Sequence, residues 1–357
     1  MSFGFVASPT HHVGAKDAEL YDEASDDCAF AQSLGYDTAW FIEHHFSNYF
    51  PTPSPFVFMA SIAARCPELN LGTCATITPW YHPLRFAEEV AMLSHITKAE
   101  LFVGMGRGSA PMEYEAYGVD QTMSREIFAE HWQIIRKAFS GERFAVNGQF
   151  TKMGREVVLR PVPARDRVHF LGAVSSQPTA KLMGAYGLLP LCSSGYPMHL
   201  QSQMLAEWRE AARTAGMKDS AEATAMVHLF IADSDEKAQA LCRQYGPLHF
   251  QQQIVHYEIG RANYDGIKGY ENFNRMMGSF KKFADPAQID PWMNLQIVGS
   301  PATCQAKVEE YRAAGITKFI IHTATAGIPR GLRHEMLSRF AAEVIGAKAA
   351  SSQRMAG

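Results

Sequence analysis

Along this chain short apolar runs alternate with longer stretches whose apolar positions recur at helical spacing. The runs fall at 3–6, 38–42, 69–77, 101–104, 168–172, 188–192, 224–232 and 318–322. Runs of this length with both parities apolar suit strands covered on both faces, and amphipathic segments after them suit crossover helices. Helical periodicity covers about 17–34, 84–96, 124–140, 301–314 and 330–347, and Gly35 closes the first helix as a left-handed cap residue. Eight strand–helix units in a row predict an α/β fold, a TIM-type eight-stranded (β/α) barrel with insertions. Two stretches interrupt the rhythm. One is 144–163, whose Asn147-Gly148 suggests a hairpin turn and a β insertion. The other is 241–291, rich in Gln, Tyr, Gly and Asn, which reads as a long excursion over about 245–291, with a lid expected from about Gln251 to Phe283. The expectation is one barrel domain over 1–348 and a flexible tail over 349–357.

Composition narrows the function classes. With 357 residues, 47% hydrophobic and 19% charged, the chain has ample material for one large core. A net charge of −3 provides no electrostatic footprint for nucleic acid or an anionic membrane. No apolar run is long enough for a membrane span, and the opening MSFGFVASPTHH lacks the pattern of a secretory signal. Six cysteines without CxxC spacing point to reduced thiols, no metal framework and a cytoplasmic setting.

In a parallel barrel, chemistry gathers where strands end. The strand ends here lead to His11 and His12, to Glu43-His44-His45, to Trp80-Tyr81-His82, to Arg107, and to Ser175-Ser176. His44 and His45 can be read as a proton-transfer site or as structurally satisfied histidines. A metal site is the weakest reading, because neighbouring histidines rarely converge on one ion. Gly104-Met105-Gly106-Arg107-Gly108 reads as a phosphate cradle or as a tight turn. It is not a dinucleotide fingerprint, since Ser109 stands at the last glycine place. Ser175-Ser176-Gln177-Pro178-Thr179 is a helix cap, a phosphate site, or both. There is no GxSxG elbow and no obvious glycosidase carboxylate pair.

Four ordered segments, AWFIEHHF at 39–46, LGTCATITPWYHPLRFAEEVAML at 71–93, LFVGMGRG at 101–108 and VGSPATCQAKVEEYRAAGITKFII at 298–321, together resemble the bacterial luciferase-like flavin monooxygenases. The resemblance implies that His44 is the catalytic histidine. It implies that Arg107, Ser175 and Thr179, with the main chain at Val174, hold the phosphate of FMN, and that a non-proline cis peptide at Cys74-Ala75 lies against the flavin ring beside Gly106. It further implies reduced FMN supplied by a separate flavin reductase, dioxygen, a hydrophobic carbonyl or other small organic substrate, and a homodimer. Two departures stand out. His95-Ile96-Thr97-Lys98-Ala99-Glu100 replaces the family's usual Asp-Ser-Gly-Arg before the fourth strand, and Gly106 stands where luciferase has a cysteine. The second departure favours a non-luminescent monooxygenase. A deazaflavin-dependent oxidoreductase on the same barrel, or a non-catalytic flavin-binding subunit, are the alternative readings.

Overall fold

In the computed structural model, residues 1–10, 15–217, 222–270, 273–325 and 327–346 are described, so His11, His12 and the tail expected over 349–357 lie outside the described residues. Nine strands run parallel among them: β1 Ser2–Val6, β2 Thr38–Phe41, β3 Asn70–Ile77, β4 Leu101–Gly106, β5 Val168–Val174, β6 Leu189–Ser193, β7 Ala223–Ile231, β8 Ile297–Gly299 and β9 Ile316–His322. Each of β1 to β6 pairs with the next, β6 pairs with β7, β7 with β9, and β9 returns to β1. That closes an eight-stranded ring. The eight expected runs all map onto it, while the short β8 was not foreseen; it attaches outside the ring to the last residues of β7.

Alternation along each strand sorts the core into two layers. Val6, Trp40, Ile42, Phe102, Leu171, Leu191 and Ile320 fill the inside of the ring. Their sequence neighbours Phe5, Phe41, Leu101, Val103 and Ile321 face the helices. Trp40 is the largest of the inner set, and its ring lies across both adjacent strands because each offers a glycine. A Cβ on Gly4 or on Gly72 would sit 2.5 Å from the indole. Phe102 stacks on the same indole at 5.7 Å.

The outer helices follow the expected periodicity. In Ser124–Ser140, for example, Ile127, Phe128, Trp132, Ile134, Ile135 and Ala138 make one buried face, and Gly141 at φ +80° ends the helix. The helices Pro55–Arg65 and Pro111–Tyr117 were not anticipated. The insertion at 144–163 holds only two antiparallel bridges, Phe144 with Val157 and Asn147 with Lys152. Its turn is held from outside, since Glu130 accepts the N–H groups of Gln149 (2.7 Å) and Thr151 (2.6 Å). Before β4, Arg167 forks onto the carbonyls of Thr97 and Ser94 at 3.1 and 3.0 Å.

The irregular reading of 241–291 is corrected. A continuous helix, Asp235–His256, runs into it, and a second, Phe273–Phe283, follows. Gly246-Pro247 lies inside the first of these. Proline does remove one helical N–H, but the glycine lets the helix lie close to Ile289 and Trp292, where a Cβ would come within 2.7 Å of Ile289 Cδ1. Packing outweighs local propensity here.

The Trp40 arrangement predicts a large effect from a single methyl group. Gly72→Ala should cost about 1–3 kcal/mol in urea unfolding through overpacking, and Trp40→Phe in the same chain should recover part of it. An alanine variant as stable as the parent would show that the ring interior is looser than described.

Candidate active site

The site begins where β2 leaves the barrel. Ile42 is pinned by Ser8, whose hydroxyl accepts its N–H at 2.6 Å, and the next three residues are Glu43, His44 and His45. Glu43 is fully enclosed and accepts three bonds: from the N–H of Ile77 (3.0 Å), the hydroxyl of Tyr81 (3.0 Å) and Nε2 of His45 (2.9 Å). Burial pushes its carboxyl up, against the three bonds that favour the charge. His45 continues the chain of bonds, its Nδ1 accepting from the Tyr117 hydroxyl at 2.9 Å. His45 is therefore held on both ring nitrogens and serves the scaffold.

His44 turns the other way. It lines a cavity of about 290 Å³ at the C-terminal mouth of the barrel. Its ring lies 4.7 Å from that of Tyr49 and 4.3 Å from that of His256. Its Nδ1 has no hydrogen-bond partner, the nearest acceptor being Glu113 Oε1 at 3.7 Å. Desolvation, with His45 close by, lowers its pKa to about 3, so the imidazole is neutral across the working range. Glu113, also buried, accepts the His45 N–H at 2.9 Å and stands 3.4 Å from Nε2 of His256. Burial raises its carboxyl and lowers His256 to about 3, so both partners are driven towards their neutral forms. The 3.4 Å contact sets a buried carboxyl beside a buried imidazole, within reach for exchange of a proton.

The opposite wall comes from β3 and β4. Their register shifts between Thr73 and Thr76, which leaves one extra residue on β3, and the bulge carries Cys74 and Ala75 into the cavity. The Cys74–Ala75 peptide bond is cis. Both flanking hydroxyls, of Thr73 and Thr76, donate to the Gly104 carbonyl at 2.8 Å. Gly104 has no room for a side chain, since a Cβ would lie 2.1 Å from the Thr73 oxygen, and Gly108 needs its positive φ of +74°. Gly106 is different. A Cβ there meets nothing closer than 3.7 Å, so the residue simply leaves the cavity wider.

Arg107, Ser175 and Thr179 line the same cavity. Ser176 takes the capping role, accepting the Thr179 N–H at 3.3 Å at the start of the helix Gln177–Ala185, and Ser175 is left for the cavity. Val174 points into the outer core, so only its main chain is available to a ligand. Arg107 is already engaged. Its guanidinium donates to the carbonyls of Lys268 (3.2 Å) and Gly269 (2.9 Å) and lies over the Tyr270 ring. The segment that supplies those carbonyls also docks by Tyr264, whose hydroxyl donates to the Ser109 carbonyl at 2.7 Å, and by Tyr270, which donates to the Gly108 carbonyl. It covers the β4 end of the cavity.

Sequence reasoning missed a third wall. His249 and Gln253, at i and i+4, line the cavity from one face of Asp235–His256, His256 at i+7 continues that face behind His44, and Gln253 donates to the Tyr49 hydroxyl at 2.9 Å. That spacing in HFQQQIVHY was the available signal. His322, at the end of β9, and Glu113, in the short helix after β4, were also missed.

Known proteins resemble the chain in sequence and in fold. A family model described as luciferase-like monooxygenase matches residues 1–318. The chain is 28% identical to a 4-hydroxyprotoasukamycin monooxygenase of Streptomyces nodosus subsp. asukaensis over 67% of this chain and 66% of that protein. It is 25% identical to the oxygenase component of a flavin-dependent trigonelline monooxygenase of Acinetobacter baylyi, over 63% of each. Among solved structures it resembles the monooxygenase RslO1 of Streptomyces bottropensis (TM-score 0.81, 23% identity, 98% and 100% of the two chains covered). It also resembles an F420-dependent secondary alcohol dehydrogenase (TM-score 0.73, 16% identity, 96% and 98% covered), so the fold by itself does not choose the cofactor.

The neutral histidines make stability depend on pH. His44, His249 and His256 titrate near 3 in the fold, and His228 and His322 well below 6.5, whereas all five titrate near 6.5 once unfolded. The unfolded chain therefore binds more protons below pH 6.5, and stability is lost as pH falls from there towards 3. Glu43 and Glu113, raised above 4.5, act the opposite way above that value, two carboxyls against five imidazoles. Between pH 7.5 and 5.5 each histidine should cost about 1 kcal/mol. Urea midpoints across that range measure it, and a flat profile would mean that the cluster is hydrated or already charged.

Proposed function

Because the chain belongs to the luciferase-like monooxygenase family, we propose that it is the oxygenase of a two-component system, taking reduced FMN from a separate reductase and oxygenating a hydrophobic carbonyl or related small organic molecule. The observation that carries the reading is one cavity with a neutral buried histidine on one wall and Arg107, Ser175 and Thr179 on another. FMN, when bound, would supply the electrons for dioxygen, one oxygen atom passing to the substrate and the other leaving as water. The residues fit such a group. Arg107 can turn its fork from the Lys268 and Gly269 carbonyls to a phosphate, with Thr179 and the N-terminus of its helix beside it. The bulge at Cys74-Ala75 and the width left by Gly106 provide a flat, largely apolar wall for a ring. His44, uncharged and unpartnered at Nδ1, can accept a proton from a reacting group and return it, with Glu113 and His256 within reach to relay it. The Tyr264 and Tyr270 contacts close the β4 end against water.

The proposal includes a homodimer formed through the helical layer. Pro55–Arg65 and Pro83–Ile96 pack together, and each exposes a large apolar side chain, Val57 and Met92. A deazaflavin-dependent enzyme is the competing reading. Dioxygen uptake with reduced FMN supports the oxygenase, whereas an absorbance change with reduced deazaflavin and no oxygen uptake would replace it.

Two variants test the residue roles. Arg107→Ala should weaken FMN by about 1.5–3 kcal/mol and leave riboflavin unchanged. Equal loss for both flavins removes Arg107 as a phosphate ligand. His44→Ala should keep the fold and most FMN affinity while losing about 10²–10⁴ in product formation, with hydrogen peroxide released in place of product. Parental turnover by that variant would exclude a catalytic role.

A further inference from the structure

Behind the cavity described above lies a second, of about 340 Å³, which shares Met226, His249 and Gln253 with it. Its mouth is at the exposed residues Gly195 and Arg275, away from Arg107, and its walls are the rings of Phe250, Phe280, Phe283 and Trp292. Where the two cavities meet stand three buried histidines. His228 and His322 are register partners on β7 and β9, two residues beyond the inward-facing Met226 and Ile320, so both point into the barrel. His249 reaches them from its helix, its ring 4.6 Å from His228 and 5.4 Å from His322. Both ring nitrogens of His322 and the Nδ1 of His249 are enclosed and without a partner. Buried polar atoms are rarely left unpaired, and three together mark a place where something else supplies the bonds.

A metal ion fits poorly. The ligand-type atoms of the three residues come within 4.8 Å of one another. However, the rings of His228 and His322 lie nearly parallel, at 22° and 4.0 Å, so their in-plane lone pairs run side by side and do not converge. An anion fits no better, because desolvation already holds all three imidazoles in the neutral form. A neutral imidazole offers one donor and one acceptor, and a hydroxyl answers both.

We propose that the second cavity holds the organic substrate, and that this substrate is an aromatic or polycyclic molecule whose buried end carries a phenolic or enolic hydroxyl bound by His228, His249 and His322. The inference rests on the reading of the first cavity as the flavin site. The aromatic walls receive the body of the molecule, and the histidines set its hydroxyl-bearing edge towards the cavity that His44 lines.

The test uses the full-length protein with oxidised FMN bound and no turnover, and two probes of nearly equal shape, 1-naphthol and 1-methylnaphthalene, measured by equilibrium dialysis. His322→Phe should weaken 1-naphthol about three- to tenfold and change 1-methylnaphthalene less than twofold. Phe280→Trp, which narrows the second cavity without lining the first, should weaken both probes by about tenfold or more and leave FMN affinity unchanged. Equal effects of His322→Phe on the two probes, or parental binding of both by Phe280→Trp, would overturn the proposal. So would stoichiometric zinc binding that His322→Phe abolishes, which would make the cluster a metal site. If His322→Phe does not fold, His249→Phe, on a helix outside the barrel ring, replaces it with the same expected split between probes. Repeating the dialysis on cofactor-free protein separates the two readings: probe discrimination that persists there stands even if FMN is not the cofactor.

Discussion

Much of the site hangs on one buried carboxylate. Glu43 receives a main-chain N–H from the end of β3, a tyrosine hydroxyl from the loop beyond it, and the imidazole of its own second neighbour. Those bonds fasten the end of β2 to the end of β3 and lock His45 between Glu43 and Tyr117. With Glu43 and His45 both committed, the backbone between them has little freedom, and His44 can project only towards the cavity. Removing the acceptor would strand several donors at once, which costs more than the bonds are individually worth. The direction of His44 is therefore a consequence of how thoroughly its two neighbours are satisfied.

The second governing feature is the scarcity of positive charge in a chamber full of ionisable groups. Five histidines line or adjoin the two cavities, and burial holds each of them neutral. Fixed positive charge would stabilise any anion that reached the cavity, and would also draw in water. A neutral lining keeps the interior poorly solvated while leaving donors and acceptors in place. Glu113 adds a buried carboxyl beside His256, its pKa raised by desolvation. Arg107 is the exception, and it sits at the rim, where carbonyls of the covering segment share its charge.

The barrel was legible in the sequence because its signal is local. A strand buried on both faces tends to be apolar at both parities, and most of the ring strands show it, β9 with Lys318 and His322 and β5 with His169 being the departures. His44 and Arg107 were legible for a related reason: they follow directly from strand ends, which a parallel barrel brings to one mouth. The short β8 has only three residues and no periodicity to detect. The wall built by His249 and Gln253 escaped notice because Gly246-Pro247 imitates a helix terminus, and only tertiary contact with Ile289 and Trp292 explains why the helix continues. Glu113 and His322 were missed because their meaning depends on what lies across the cavity. The division between Ser175 and Ser176 was likewise open until the capping bond to Thr179 assigned it.

The helix Asp235–His256 has an implication for how this protein could diversify. It contributes one face to both cavities, yet it belongs to neither the ring of strands nor the Glu43 network. Substitutions at 249, 253 or 256 can reshape the interior chamber while the hydrogen bonds that close the barrel stay intact. Gly246 keeps the helix tight against its support, so such changes act through side-chain shape and leave the helix where it is. Selection could then explore new chemistries on an element whose failure does not endanger the scaffold, which makes this helix a place where novelty is tolerated.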